Sequence, residues 1–174
     1  AAPGLNVGGY RVQSATQVTT FDSNTGNQVI TGTGTNLINF AHLNLNNSFP
    51  SGALSVAGGT PLRVASNLSL NSGGFNTANS LVTVLGNISS NVIHTSTSGG
   101  FIFLNGPAAQ TISGNGLSQF GSIRLDNTAG AEILSETRIN GELNLVNGIF
   151  YLNNQRLTLG TVATVTTPTL LNAT

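Results

Sequence analysis

Between Arg138 and Gly160, apolar residues occur in pairs whose members are separated by one residue. Three such pairs begin seven residues apart: Leu143/Leu145, Phe150/Leu152 and Leu157/Leu159. Alternation with a period of two predicts a short strand with one buried face. Turn-forming residues lie between the pairs, and Asn147-Gly148 is the clearest example. The pattern predicts a β unit that turns a corner every seven residues.

The apolar pairs also recur at a longer spacing. Ile123/Leu125 precede Leu143/Leu145 by 20 residues, Ala131/Ile133 precede Phe150/Leu152 by 19, and Ile139 precedes Leu157/Leu159 by about 20. Three short strands in each turn of about 20 residues are typical of a parallel β-helix. We therefore predict an all-β fold, a parallel β-helix (β-solenoid) without helices. A β-sandwich is the alternative, because regularly spaced short strands also suit that fold.

A β-helix of this length has predictable dimensions. Neighbouring coils lie about 4.8 Å apart, so about seven or eight coils would form a rod about 35–40 Å long. Inward Leu, Ile, Val and Phe are expected to stack along the axis. Outward Asn, Thr and Ser are expected to form ladders.

We treat the chain as a single domain, 1–174, with an internal repeat. Residues 29–86 match 111–160, with Phe40–Asn47 over Phe120–Asn127 and Leu62–Leu70 over Thr137–Leu145. Changes in length fall in stretches rich in Gly, Ser and Asn. The resulting parts are an N-terminal arm with the first strands (1–28), a first solenoid unit (29–108), a second solenoid unit (109–160) and a C-terminal strand or tail (161–174).

The repeated pattern is F-x-x-[LI]-x-[LI]-[ND]-N, followed by R-[VI]-x-x-x-L-x-L-x-x-G-x-F and L-T-L-G. It resembles the solenoid repeats of large secreted and cell-surface, adhesin-like proteins of Bacteroidota-type bacteria. The resemblance covers roughly residues 29–160. It implies a protein exported through an outer-membrane secretion system, although the C-terminal sorting domain usual in that family is not visible in this chain.

The low charge of the chain argues against two classes of partner, nucleic acid and anionic lipid. Charged residues make up 6 % of the 174 residues, the net charge is zero, and the chain contains no lysine. A chain this neutral has neither a basic patch for nucleic acid nor a polybasic face for anionic lipid. Its 39 % apolar content, regularly spaced, argues against disorder despite the abundance of polar small residues.

The sequence also favours an exported protein. There is no cysteine, so neither a disulfide framework nor a thiolate metal site is expected. Methionine is absent too, and we interpret Ala1-Ala2-Pro3 as the end left after a signal peptide is removed, or as the boundary of a fragment. The longest apolar runs are of four to five residues, so no membrane span is predicted. The expected location is extracellular, at the cell surface.

The acidic residues are few: Asp22, Asp126, Glu132, Glu136 and Glu142. A glycosidase would need two of them to converge on one bond. The chain offers no tryptophan platform and no lysine as a lyase base, so we predict surface ion pairs, no catalytic residues and no enzyme. A calcium site is the weaker alternative, because the spacing of acids found in calcium loops is missing. No cofactor and no bound metal are predicted.

Other candidate motifs have simple structural interpretations. His42 and His94 have no neighbouring ligand-type residues, so we place both on a polar outer face. The glycine pairs Gly32/Gly34 and Gly114/Gly116 precede strands rather than a helix, which predicts turns instead of a phosphate-binding loop. Four N-x-[ST] sequons permit glycosylation without indicating it: Asn46, Asn67, Asn87 and Asn172.

The ends of the predicted rod suggest a function. A solenoid has two open ends with unpaired strand edges, and no capping helix is predicted here. We therefore expect a non-enzymatic structural protein whose copies associate into a surface fibre or filament, a homopolymer. The alternative is an adhesion or carbohydrate-binding module cut from a larger protein, with surface glycans as partners. Seven apolar or aromatic residues near the two ends are the candidate assembly residues: Tyr10, Val12, Val18, Val162, Val165, Leu170 and Leu171.

Overall fold

The computed structural model describes residues 5–6, 14–32, 37–49, 52–97, 99–166 and 171–172. All the regular secondary structure in these ranges is β-strand, and the strands pair in parallel. In chain order they are β1 (Leu5–Asn6), β2 (Val18–Phe21), β3 (Gln28–Thr31), β4 (Ile38–Phe40), β5 (His42–Asn46), β6 (Ala53–Val56), β7 (Leu62–Val64), β8 (Leu68–Ser72), β9 (Gly74–Asn76), β10 (Leu81–Val84), β11 (Ile88–Ser90), β12 (His94–Thr95), β13 (Phe101–Leu104), β14 (Gln110–Gly114), β15 (Ser118–Phe120), β16 (Ile123–Asp126), β17 (Ala131–Ile133), β18 (Thr137–Ile139), β19 (Glu142–Asn147), β20 (Phe150–Tyr151), β21 (Leu157–Leu159), β22 (Thr164–Thr166) and β23 (Leu171–Asn172).

Consecutive strands belong to three different sheets. Sheet I has the order β2-β5-β8-β11-β14-β17-β20-β23, and sheet III has the order β22-β19-β16-β13-β10-β7-β4. Sheet II consists of two segments, β1-β3-β6-β9-β12 and β15-β18-β21. The chain passes from sheet I to sheet II to sheet III and back, and about seven such turns form a β-solenoid. The predicted parallel β-helix is confirmed. The β-sandwich alternative is wrong, because each strand pairs with parallel strands about 21 residues away.

The predicted coil spacing is also confirmed by the register. Ile123 pairs with Leu143 and Leu125 with Leu145 in sheet III. Ala131 pairs with Phe150 in sheet I. In sheet II, Ile139 pairs with Leu159. The apolar pairs of the sequence are thus the inward positions of successive coils.

The core is a stack of these inward residues. In sheet III one inward column contains Phe40, Val64, Val84, Leu104, Leu125 and Leu145, all with 0 % exposure. Column packing explains why each strand needs only two apolar positions: the partners above and below supply the rest of the contact.

Two buried side-chain amides close a corner between coils. Asn127 donates through Nδ2 to the carbonyl of Ala108 at 2.8 Å and to Oε1 of Gln110 at 3.0 Å. Gln110 in turn donates through Nε2 to the carbonyls of Val84 at 3.0 Å and Gly86 at 2.5 Å. Both residues are almost fully buried, at 3 % and 1 % exposure, and these bonds pair their polar groups with each other and with the backbone of neighbouring coils.

A polar ladder of the predicted kind runs along the corner where the chain enters sheet I. The Nδ1 atom of His42 accepts a hydrogen bond from the amide of Asn67 at 3.4 Å. Oδ1 of Asn67 accepts one from the amide of Asn87 at 3.0 Å, and Oδ1 of Asn87 accepts one from the amide of Thr111 at 3.0 Å. Each side chain therefore binds the backbone of the next coil, which holds the corners in register.

The internal sequence match relates strands of different sheets. Leu68 and Leu70 lie in β8 of sheet I, whereas Leu143 and Leu145 lie in β19 of sheet III. Phe40 likewise belongs to sheet III, whereas Phe120 belongs to sheet II. The same apolar pattern thus serves on different faces of the rod, because all three sheets require the same alternation.

Candidate functional site

The strongest candidate surface lies where the last described coil has no complete neighbour. β22 covers β19 and β23 covers β20, but β21 has no further partner in the described part of the chain. Leu152 and Leu157 are partly buried, and Leu159 is 41 % exposed. Val162 at 79 % and Val165 at 42 % exposure continue the apolar area. We call Leu152, Leu157, Leu159, Val162 and Val165 the C-terminal apolar end.

The opposite end of the described rod is different. Ile38 and Phe40 of the edge strand β4 are 1 % and 0 % exposed, and Phe21 of β2 is 6 % exposed. The rings of Phe21 and Phe40 meet edge to face at 6.0 Å. Val18, at 59 %, is the exposed apolar residue of β2. The inward residues at this end are thus buried, whereas those of the C-terminal apolar end are not.

The structure locates four of the seven candidate assembly residues. Val18, Val162 and Val165 are exposed, and the latter two belong to the C-terminal apolar end. The backbone of Leu171 lies in β23, where it pairs with Phe150. Tyr10, Val12 and Leu170 lie outside the described residues. The sequence prediction missed Leu152, Leu157 and Leu159, because their apolar pattern is that of fully buried positions.

The acidic residues from Asp126 to Glu142 are distributed over different faces of the rod. Glu132 lies in sheet I, whereas Asp126 and Glu142 lie in strands of sheet III. Oε1 of Glu142 accepts hydrogen bonds from its neighbours in that sheet. Glu136 forms an exposed ion pair with Arg156. Within the described residues, no group of three His, Cys, Asp or Glu side chains could hold a metal ion.

A polar groove of about 310 Å³ lies at one corner of the rod. It is lined by Asp22, Ser23, Asn24, Asn46 and Ser48. Its hydroxyl, amide and carboxylate groups are of the kind that hydrogen-bond sugar hydroxyls. Among the described residues, no aromatic side chain lines the groove.

The placement of His94 on an outer face is wrong. Its side chain is 1 % exposed and points inward between the rings of Phe75 at 5.7 Å and Phe120 at 6.2 Å. Burial lowers the pKa of His94 from 6.5 to about 3, so the imidazole is neutral. The preceding residue, Ile93, is 52 % exposed. The coil spacing carried the missed signal, since His94 follows the inward Phe75 by 19 residues and pairs with it in register.

The remaining candidate motifs agree with their simple interpretations where they are described. His42 is half-buried on the outer ladder of sheet I. Gly114 ends β14 and Gly116 has a φ of 81° in the bend that follows, a conformation that favours glycine. Gly32 follows β3, and Gly34 lies outside the described residues.

Comparison with protein-family models, with curated proteins and with solved structures finds no match for this chain. In the described part of the structure, no helix is long and apolar enough to cross a membrane.

Proposed function

We propose that this chain is a non-enzymatic structural subunit whose copies associate end to end into an extracellular fibre. The observation that carries the proposal is the C-terminal apolar end, which combines exposed core-type residues with the edge of β21, a strand that has no further partner among the described residues. An edge strand offers unpaired N–H and C=O groups, and a neighbouring strand satisfies them.

A second copy is the occupant that fits this end. The pairing of described strands is parallel, so the next coil must run in the same direction as β21. A copy placed head to tail supplies such a coil from its N-terminal side. The contact joins two different surfaces, and such heterologous contacts repeat into open filaments when they do not close a ring.

The electrostatics favour close packing of copies. With 6 % charged residues and zero net charge, two rods experience little repulsion on approach. Leu152, Leu157 and Leu159 would pass from partial to full burial, which favours association by about 25 cal/mol for each Å² of apolar surface removed from water.

The extracellular location depends on the resemblance of the repeat pattern to secreted and cell-surface solenoids. The same resemblance suggests an adhesin-like role as a second candidate, and the polar groove at Asp22 is the observation that favours it. An adhesion module cut from a larger protein would bind surface glycans as a monomer.

The test introduces a charge into the proposed contact. Leu159→Asp is expected to abolish filaments in negative-stain electron microscopy and to leave monomers in sedimentation velocity. Leu134→Asp is the matched control, because Leu134 is 44 % exposed but lies at a corner in the interior of the rod. It is expected to leave the filaments intact.

A second experiment deletes residues 161–174, which contain β22 and β23. Loss of polymers with a retained β circular-dichroism signal is expected if these strands take part in association. Polymers that survive the deletion would exclude strand exchange through this tail. If the unmodified chain remains monomeric at millimolar concentration, this result contradicts the proposal and favours the glycan-binding module.

A further inference from the structure

We propose that the level of the rod at His94 is an acid-sensitive joint, where sheet II opens locally on protonation of the imidazole while distant coils stay folded. The joint does not depend on self-association. It consists of a break in the hydrogen bonding of one sheet and of the side chain that fills this break.

Sheet II is interrupted at this level, whereas sheets I and III are continuous. β12 pairs with β9 on one side, but β15 begins a separate three-stranded segment. In the described residues a single bridge, Ile93 to Gln119, connects the two segments. Its hydrogen bond, from the amide of Gln119 to the carbonyl of Val92, is long at 3.4 Å. The backbone therefore holds these two coils together weakly on this face.

The imidazole of His94 replaces part of the missing pairing. Its Nδ1 accepts a hydrogen bond from the amide of Gly121 at 3.2 Å. Since a backbone N–H can only donate, Nδ1 carries no proton and Nε2 does. Nε2–H donates to Oγ1 of Thr77 at 2.9 Å, and that hydroxyl donates to the carbonyl of Thr95 at 3.5 Å. One neutral side chain thus connects Gly121, which follows β15, with Thr77, which follows β9.

Protonation would destroy this connection in a defined way. A proton on Nδ1 removes the acceptor and turns an N–H toward the N–H of Gly121. The ring would also carry a positive charge while buried between Phe75 and Phe120. An unsatisfied buried donor together with an unpaired buried charge favours an open state in which the ring reaches solvent.

Among the described residues, no charged side chain on the neighbouring strands is placed to compensate this charge. Residues 64–123, which include β8 to β15, contain no Asp, Glu, Lys or Arg, and His94 is their only histidine. In sheet II the next charged residue is Arg138, which is exposed. In sheet III, Arg63 precedes this segment, and Arg124 lies over the ring of Phe103, 5.0 Å from its centroid. Asp126 alternates with the inward Leu125 on β16, so it faces outward.

The direction of the pH effect follows from linkage. The pKa of His94 is about 3 in the closed state and 6.5 when solvated, so below pH 6.5 the open state binds more protons. The closed joint has its full stability above pH 6.5 and loses it as the pH falls toward 3. The opening constant of the joint should increase tenfold for each unit by which the pH falls within this window. Between pH 7.5 and pH 4.5 the increase is about 100-fold.

Amide hydrogen exchange of the full chain, followed by NMR and corrected for intrinsic exchange rates, tests the joint. The opening constant of the Gly121 amide is expected to rise about 100-fold from pH 7.5 to pH 4.5. The amides of Leu125 and Leu145, in the continuous sheet III, should change less than threefold, about the scatter of such rate corrections. His94→Gln keeps an acceptor and a donor without titrating, so it should remove the pH dependence at Gly121. His42→Gln is the control and should retain it.

Three results would overturn the inference. The first is a Gly121 opening constant that does not change with pH, and the second is an equal rise in His94→Gln. The third is an equal rise at Gly121, Leu125 and Leu145, which would indicate global unfolding rather than a joint. If His94→Gln does not fold, the joint is tested in the wild-type protein by following the protonation of the His94 ring nitrogens by NMR. Protonation of His94 above pH 5 without a change in exchange at Gly121 also contradicts the joint.

Discussion

Two successive coils, 123–139 and 143–159, have nearly the same apolar pattern and different surroundings. In the first coil Ile123, Leu125, Ile133 and Ile139 all have 0 % exposure. In the second coil Leu143 and Leu145 are equally buried, yet Leu159, the counterpart of Ile139, is 41 % exposed. The difference is the next strand: β22 lies on β19, whereas β21 is the edge of its sheet among the described residues.

The comparison shows that burial in a solenoid depends on the neighbouring coil. A Leu-x-Leu pair buries one side against the preceding coil and leaves the other for the next. Leu157 and Leu159 have a partner on one side, in Thr137 and Ile139. The stability supplied by such a pair is therefore incomplete until another strand covers it, and that is the physical basis of the proposed association.

Truncation of matched leucines should give the largest effect. Leu145→Ala removes a fully buried side chain and is expected to lower the free energy of unfolding of the monomer by about 3 kcal/mol. Leu159→Ala, in the same coil, should cost about 1 kcal/mol, because water already reaches this side chain and no closed cavity forms. Urea denaturation at a concentration below that of association measures both.

Equal costs for the two variants would show that the edge of β21 is covered in solution. Repeating the measurement at a concentration where filaments form sharpens the comparison. The cost of Leu159→Ala should then approach that of Leu145→Ala, because a second copy would complete the cavity.

Corner glycines extend the comparison to the backbone. Gly148 has a φ of 86°, and a Cβ there would overlap the carbonyl oxygen of Asn127 in the preceding coil. Gly116 has a similar φ of 81°, but a Cβ would meet nothing within 4 Å. Gly116→Ala should cost about 1 kcal/mol for the left-handed conformation, and Gly148→Ala about 2–3 kcal/mol because the overlap is added. Thermal or urea unfolding distinguishes them, and similar values would mean that the corners do not stack closely.

The architecture was predictable because one physical requirement repeats. Each coil must place apolar residues at alternating positions, so the spacing between Ile123 and Leu143 revealed the pairing of β16 with β19. The sheet to which a strand belongs was less accessible. All three sheets demand the same alternation, so the match of Phe40 with Phe120 relates sheet III to sheet II.

Buried polar residues were the main failure of sequence reasoning. His94, Gln110 and Asn127 lie inside because hydrogen bonds to neighbouring coils satisfy them, and such partners are invisible in a linear pattern. The candidate association surface was predictable only in part. Val162 and Val165 stand out as apolar residues in a polar tail, whereas Leu159 looks like any core residue until its missing neighbour is seen.

The smallest effect is expected at the ion pair that connects the same two coils. Arg156 contacts Oε1 of Glu136 through Nε at 2.9 Å and also through Nη2, but the two side chains are 72 % and 42 % exposed. Water and salt screen such a pair, so Arg156→Gln should change the free energy of unfolding by less than about 0.5 kcal/mol. A double-mutant cycle with Glu136→Gln in 0.15 M salt measures the coupling directly, at an ionic strength where screening acts within about 8 Å. A coupling above about 1 kcal/mol would mean that charge, rather than apolar stacking, holds the last coil to the rod. A small coupling energy, together with a large loss of unfolding free energy in Leu145→Ala, would show that the apolar columns hold the last coil to the rod.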